Sequence, residues 1–152
     1  MTDKHDYRGH HRAPNIEEGT TLANFCNLWP VEDFSKPERA AHYYGHGGDM
    51  AAVDLKAARI IAGCKPNSTV TVYRAVPPDA DQIHLGDWVS ITLEYAVSHG
   101  ECHLDDYKIL AAKVPTTHIA SEGDLHEWSC GIEPAYSVTL DLSNPTHQQL
   151  SP

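Results

Sequence analysis

Three groups of residues stand where they could do chemistry. Arg74 lies in Thr69–Val76, where alternation puts Val70, Val72, Arg74 and Val76 on one strand face. A guanidinium among three valines needs a partner, because an unpaired buried charge is strongly unfavourable. Either it closes an internal salt bridge or escapes to water at the strand end, or its planar fork grips a phosphate or carboxylate. In Trp88-Val89-Ser90-Ile91-Thr92, two hydroxyls and an indole share a face, which suits a polar, ring-lined cleft. Thr92 equally suits the cap of a following helix. Glu127 sits between His126 and Trp128, after the Glu122-Gly123-Asp124 turn. A carboxylate beside an aromatic can stabilise a cation-like transition state; it can also be a solvated edge-strand charge.

The elements that position these groups are legible as punctuation. Ser35-Lys36-Pro37-Glu38 reads as a helix start, with Ser35 as cap and Glu38 completing a capping box. That helix spans residues 36–44 and stops at Gly45. A second begins after Asp49 as N-cap, carries Met50, Val53, Ala57, Ile60 and Ile61 at helical spacing, and closes at Gly63. Strands are expected over 69–76, 87–91 and 107–114, with candidates at 125–128 and 135–142. A short helix over 93–99, from Thr92 to Gly100, falls between the second and third. Helices first and strands afterwards, without βαβ alternation, predict an α+β fold with mainly antiparallel sheets. Residues 1–20 read as a flexible N-terminal arm, 21–143 as a single domain, and 144–152 as a loose tail.

The chain has 152 residues, 41% hydrophobic and 21% charged, which fits one folded domain and excludes wholesale disorder. No apolar run approaches the ~20 residues of a membrane helix. The opening Met1-Thr-Asp-Lys-His-Asp lacks the basic-then-apolar order of a signal peptide, so a cytoplasmic location is expected. Four cysteines without a CxxC pair read as free thiols. The net charge of −10 repels phosphate backbones and argues against generic nucleic-acid binding, while suiting an acidic decoy. None of the eleven histidines has zinc-site spacing; the nearest cluster is His99, Cys102 and His103. No metal is expected. Gly45-His46-Gly47-Gly48-Asp49 follows a helix and lacks the phosphate-loop lysine. There is no nucleophile-elbow, zinc-protease or kinase signature.

The order of arginine strand, hydroxyl strand and late glutamate resembles the ADP-ribosyltransferase family of the arginine–serine–glutamate type. Val72-Tyr73-Arg74-Ala75-Val76 looks like its first motif. Gly86-Asp87-Trp88-Val89-Ser90-Ile91-Thr92, with Tyr95-Ala96 and His99-Gly100, looks like its second, and His126-Glu127-Trp128 like its third. The chain is similar to small domains of this kind in phages and mobile elements, with His11-Arg12-Ala13-Pro14 and Tyr43-Tyr44-Gly45 extending the likeness to about residues 10–134.

The resemblance implies a split two-sheet core with NAD, the substrate, in the cleft between the sheets. Arg74 would hold the phosphates and ribose, and Ser90 would help place Arg74 and the nicotinamide ribose. Tyr95 or Trp88 would stack on nicotinamide. Tyr73, Thr92 and Trp128 would complete the NAD-binding set, and Glu127 would stabilise the oxocarbenium as nicotinamide leaves. Two departures matter. The middle motif is Ser90-Ile91-Thr92, and Leu125 stands where arginine-modifying members carry a further glutamate. The expectation is an NAD-dependent transferase with a macromolecular acceptor other than arginine, a host or competitor protein met in the host cytoplasm. An NAD glycohydrolase, a non-catalytic acidic inhibitor on the same fold, and a histidine-built metal hydrolase are the alternatives.

Overall fold

The computed structural model describes residues 12–28 and 34–142. The start of the expected arm with His10 and His11, Trp29 and Pro30, and the tail from Asn144 lie outside them. The described chain is mixed α+β, with two antiparallel sheets and three helices of eight residues or more. A strand β1 (Thr20–Thr21) precedes a short helix α1 (Phe25–Leu28), α2 (Pro37–Tyr44) and α3 (Ala51–Gly63). Then come β2 (Thr69–Val76), β3 (Trp88–Val89), α4 (Leu93–His103), β4 (Lys108–Pro115), β5 (Ile119–Ser121), β6 (Trp128–Cys130) and β7 (Val138–Thr139). One sheet has the order β1-β5-β6-β3, the other β2-β4-β7.

The long pair β2–β4 is buried on both faces. Val70, Val72 and Val76 point with Leu110, Ala112 and Val114 into a large core under α2 and α3. Tyr73 and Ala75 point with Ile109 and Ala111 under α4. This is why seven of the eight residues of Thr69–Val76 are buried, Thr71 and Arg74 among them, rather than every second one. Phe25, Phe34, Leu125 and Trp128 fill the large core; Phe25 lies edge-on to Phe34 and tilted against Trp128, both at 5.4 Å. Each such side chain contributes about 1.5–3 kcal/mol by leaving water.

Several boundaries differ from expectation for local reasons. Lys36, not Ser35, is the N-cap of α2, and its side chain makes no capping bond. Pro37 at the first helical position forces the residue before it into extended backbone, so the cap falls one place later. Asp49 does not cap α3; it sits in a 3-10 turn, Gly48–Met50, that feeds the helix. α4 runs past Gly100 to His103, because that glycine gives room to a ring instead of ending the helix. A Cβ there would lie 2.6 Å from Tyr107. The strand candidate at 125–128 is displaced to Trp128–Cys130, sharing only Trp128, and the one at 135–142 shrinks to Val138–Thr139. In the described part of the expected arm, Arg12 bridges Asp87, Ala13 donates its N–H to Gly86 at 2.7 Å, and Thr20–Thr21 pairs with β5. No helix among the described residues is long and apolar enough to cross a membrane.

Candidate functional site

The two sheets are sutured by one residue. β3 pairs with β6 in the first sheet, and the next residue, Ser90, exchanges both backbone hydrogen bonds with Tyr73 of β2 at 2.9 Å. A short strand that changes sheets leaves a gap beside the crossing. That gap is a cavity of about 250 Å3, and Tyr73, Arg74, Trp88, Ser90, Tyr95 and Glu127 line it together with His99 and His126.

Arg74 spans the seam. It is 6% exposed; its Nη1 donates to the Trp88 carbonyl at 2.7 Å, and its Nε lies 3.7 Å from Asp87 Oδ2. Asp87 is itself buried and accepts the His84 N–H at 2.8 Å. The buried guanidinium therefore has the internal counter-charge that its burial requires, and it also lines the cavity. The Ser90 hydroxyl donates to the Thr92 carbonyl at 2.6 Å and so is fixed at the turn into α4. The Thr92 hydroxyl accepts the Tyr95 N–H at 3.3 Å and caps the helix.

Opposite the arginine, the Tyr95 hydroxyl donates to Glu127 Oε1 at 3.1 Å. Burial, and after it the Glu127 charge and hydrogen bond, push the Tyr95 phenol well up, so it remains a donor. Glu127 is half-buried and keeps its carboxylate at the cavity wall.

Behind this pair is a second, fully buried one. His126 Nε2 lies 2.6 Å from Asp54 Oδ1, and their side chains are 0% and 2% exposed. Asp54 Oδ2 accepts the Gly47 N–H at 2.8 Å. Burial raises the Asp54 carboxyl, but hydrogen bonds from His126 and the Gly47 and His46 amides outweigh it and hold the pKa below its ordinary value. The loop between α2 and α3 is shaped for this. A Cβ on Gly45 would overlap the Asp54 carboxyl, and Gly47 turns at φ 72°, where other residues are strained. The His126 ring stacks on Tyr95 with centroids 4.7 Å apart and planes within 3°. His46, exposed at the rim, meets both rings edge-on, with Asp124 Oδ2 3.5 Å from its Nε2.

Of the residues singled out from the sequence, Arg74, Tyr73, Trp88, Ser90, Tyr95 and Glu127 meet at this cavity. Thr92 and Trp128 do not. Thr92 is buried as a cap, and Trp128 turns into the core, where its indole N–H donates to the Leu125 carbonyl at 2.9 Å. Glu127 stands just before β6 with its carboxylate at the cavity, while Trp128, the first residue of β6, turns into the core. Asp54 and His126 were missed as site residues. Asp54 carried a signal: it shares the i, i+3, i+4, i+7 stripe with Ala57, Ala58 and Ile61, a carboxylate on a core-facing stripe. His126 had none beyond its place beside Glu127. The His99 and His103 rings lie 4.6 Å apart, and no group of three metal-ligating side chains is assembled among the described residues. Comparison with protein-family models, curated proteins and solved structures finds no match to this chain.

Proposed function

We propose that the protein is an NAD-consuming ADP-ribosyltransferase with the split-sheet core of that family. The observation that carries this reading is the meeting of Arg74, Ser90 and Glu127, from three separate segments, around one cavity at the seam of the two sheets. In the proposed reaction the bond between ribose C1′ and the nicotinamide nitrogen breaks, and nicotinamide leaves with the electron pair. Positive charge develops on the ribose, and the Glu127 carboxylate, fixed by Tyr95, faces it. A preorganised charge of this kind favours the transition state over the ground state. The acceptor then bonds to C1′ and gives up its proton. The cavity of about 250 Å3 lies below the roughly 300–1,000 Å3 of typical ligand pockets, so it encloses the reacting nicotinamide–ribose half and leaves the adenosine half at the surface. Arg74, held by Trp88 and balanced by Asp87, supplies fixed donors at the inner end. The absence of an acid at Leu125, a core residue, favours an acceptor other than arginine.

The test is nicotinamide release from NAD by wild type and Glu127→Gln, with and without cell lysate. Expected is release that falls about 10²–10³-fold in the variant, in line with loss of one electrostatic stabiliser. Stimulation by lysate supports a macromolecular acceptor, and release without it a glycohydrolase. Undiminished release by Glu127→Gln refutes the assigned role. A wild-type protein that is folded and releases no nicotinamide refutes the enzyme reading and favours the acidic binding protein suggested by the charge of −10. Its partner binding would weaken steeply with salt.

A further inference from the structure

We propose that Asp54 and His126 are positioning residues for Glu127, acting through Tyr95. This rests on the function proposed above, because it assigns how the reacting carboxylate is held. The pair bridges elements 72 residues apart, at 2.6 Å, in full burial. Taking a carboxylate and an imidazole out of water is unfavourable unless their hydrogen bonds are satisfied. Asp54 meets that condition with His126 and two loop amides. His126 backs the cavity wall with no exposed side-chain surface of its own. Its ring stacks near-parallel on Tyr95, and His46 meets it edge-on. Tyr95 in turn gives its hydroxyl to Glu127 at 3.1 Å.

The geometry is a chain from a helix to the cavity. α3 and the glycine loop fix the carboxylate, which orients the imidazole. The imidazole plane then sets the tilt of the phenol, and the phenol aims one oxygen of Glu127. The carboxylate faces a charge that exists only in the transition state, so misplacing it by an ångström would show in kcat rather than in substrate binding. A pair that only tied α3 to β6 would need neither the stack on Tyr95 nor the phenol's bond to the reacting carboxylate.

The test compares wild type, His126→Leu, Tyr95→Phe and the double variant for kcat and KM of nicotinamide release, each checked by circular dichroism. Expected is a fall in kcat of about tenfold or more in His126→Leu with KM for NAD little changed, and a double variant no slower than Tyr95→Phe alone. Losses that multiply in the double variant, or wild-type kcat in His126→Leu, overturn the proposal. If His126→Leu does not fold, Asp54→Asn takes its place in the same cycle. A second readout needs no NAD. The Tyr95 hydroxyl proton, followed by NMR, should exchange slowly in wild type and rapidly in His126→Leu or Asp54→Asn. Equal protection in a folded variant overturns the proposal even if the wild-type protein consumes no NAD, and loss of protection supports it in that case.

Discussion

Asp54 is where removal of one side chain should be felt most. Asp54→Ala strips the acceptor from three donors, His126 Nε2 at 2.6 Å, the Gly47 amide at 2.8 Å and the His46 amide. Two effects oppose each other. Alanine is the better helix former by a few tenths of a kcal/mol, up to about 0.7, while a carboxylate in the first turn of α3 favours the helix dipole by about 0.3–1 kcal/mol. These nearly cancel. The orphaned donors remain, and leaving a buried donor without its acceptor costs about 1–3 kcal/mol each, here about 3–5 kcal/mol in all because His46 and Gly47 lie on an exposed loop. At roughly 2–4 °C per kcal/mol for a chain of this size, Tm should fall by about 6–20 °C. The pH dependence has a definite sign. The folded carboxyl titrates below its ordinary 3.8, so its stabilising share is fully present above that value and is lost as the pH falls through the lower, folded value. The stability gap between wild type and Asp54→Asn should therefore narrow as the pH is taken below about 4, toward 2. Thermal and urea denaturation across that range measures both effects. A Tm for Asp54→Ala within 2 °C or so of wild type, or a gap to Asp54→Asn that is flat from pH 5 to 2, would refute the reasoning.

Thr92→Ala removes the acceptor for the Tyr95 N–H and should cost about 1 kcal/mol, lowering Tm by roughly 2–4 °C and speeding amide exchange at Tyr95. An unchanged Tyr95 exchange rate would count against the cap. The four thiols should label in an order set by exposure and burial. Cys102 is exposed, whereas burial and then Cys26 push the Cys64 thiol up to about 11, and burial raises Cys26 and Cys130. Mass spectrometry after brief alkylation at pH 8 should find Cys102 modified first, and Cys64 labelled as quickly would contradict the packing around α3.

The parts of the fold that could be read from the sequence are those governed by neighbours in the chain. Thr69–Val76 carries its strand in eight consecutive residues, and Thr92 with the Tyr95 amide makes its own cap. What could not be read depends on residues far away. Gly100 resembles a helix end, and only the Tyr107 ring packed on it explains why α4 continues. Ser35 is the exception, since Pro37, two residues on, moves the cap to Lys36 by a local rule. β3 has two residues because Ser90 leaves its sheet for Tyr73, a crossing that no local pattern encodes.

The same division runs through the site. Arg74 could be picked out because it shares a strand face with three valines, Ser90 because it shares a face with an indole and a second hydroxyl, and Glu127 because it stands beside an aromatic. Trp128 was misread as a cavity residue for the converse reason. Next to a candidate glutamate it looks like a ring for a ligand, but Glu127 precedes the strand and lines the cavity, whereas Trp128 begins β6 and fills the core. Asp54 was open to the argument applied to Arg74, a charge on a buried stripe, and differs only in the period over which the stripe must be read. For the strand, burial of a charge left a salt bridge, an escape to water and a bound anion open, and Asp87 supplies the salt bridge. Applied to α3, the rule demands donors for a buried carboxylate. The structure supplies them from a glycine loop and from the residue before Glu127, so that the buried charge on the helix lies two side chains, His126 and Tyr95, away from the proposed reacting carboxylate.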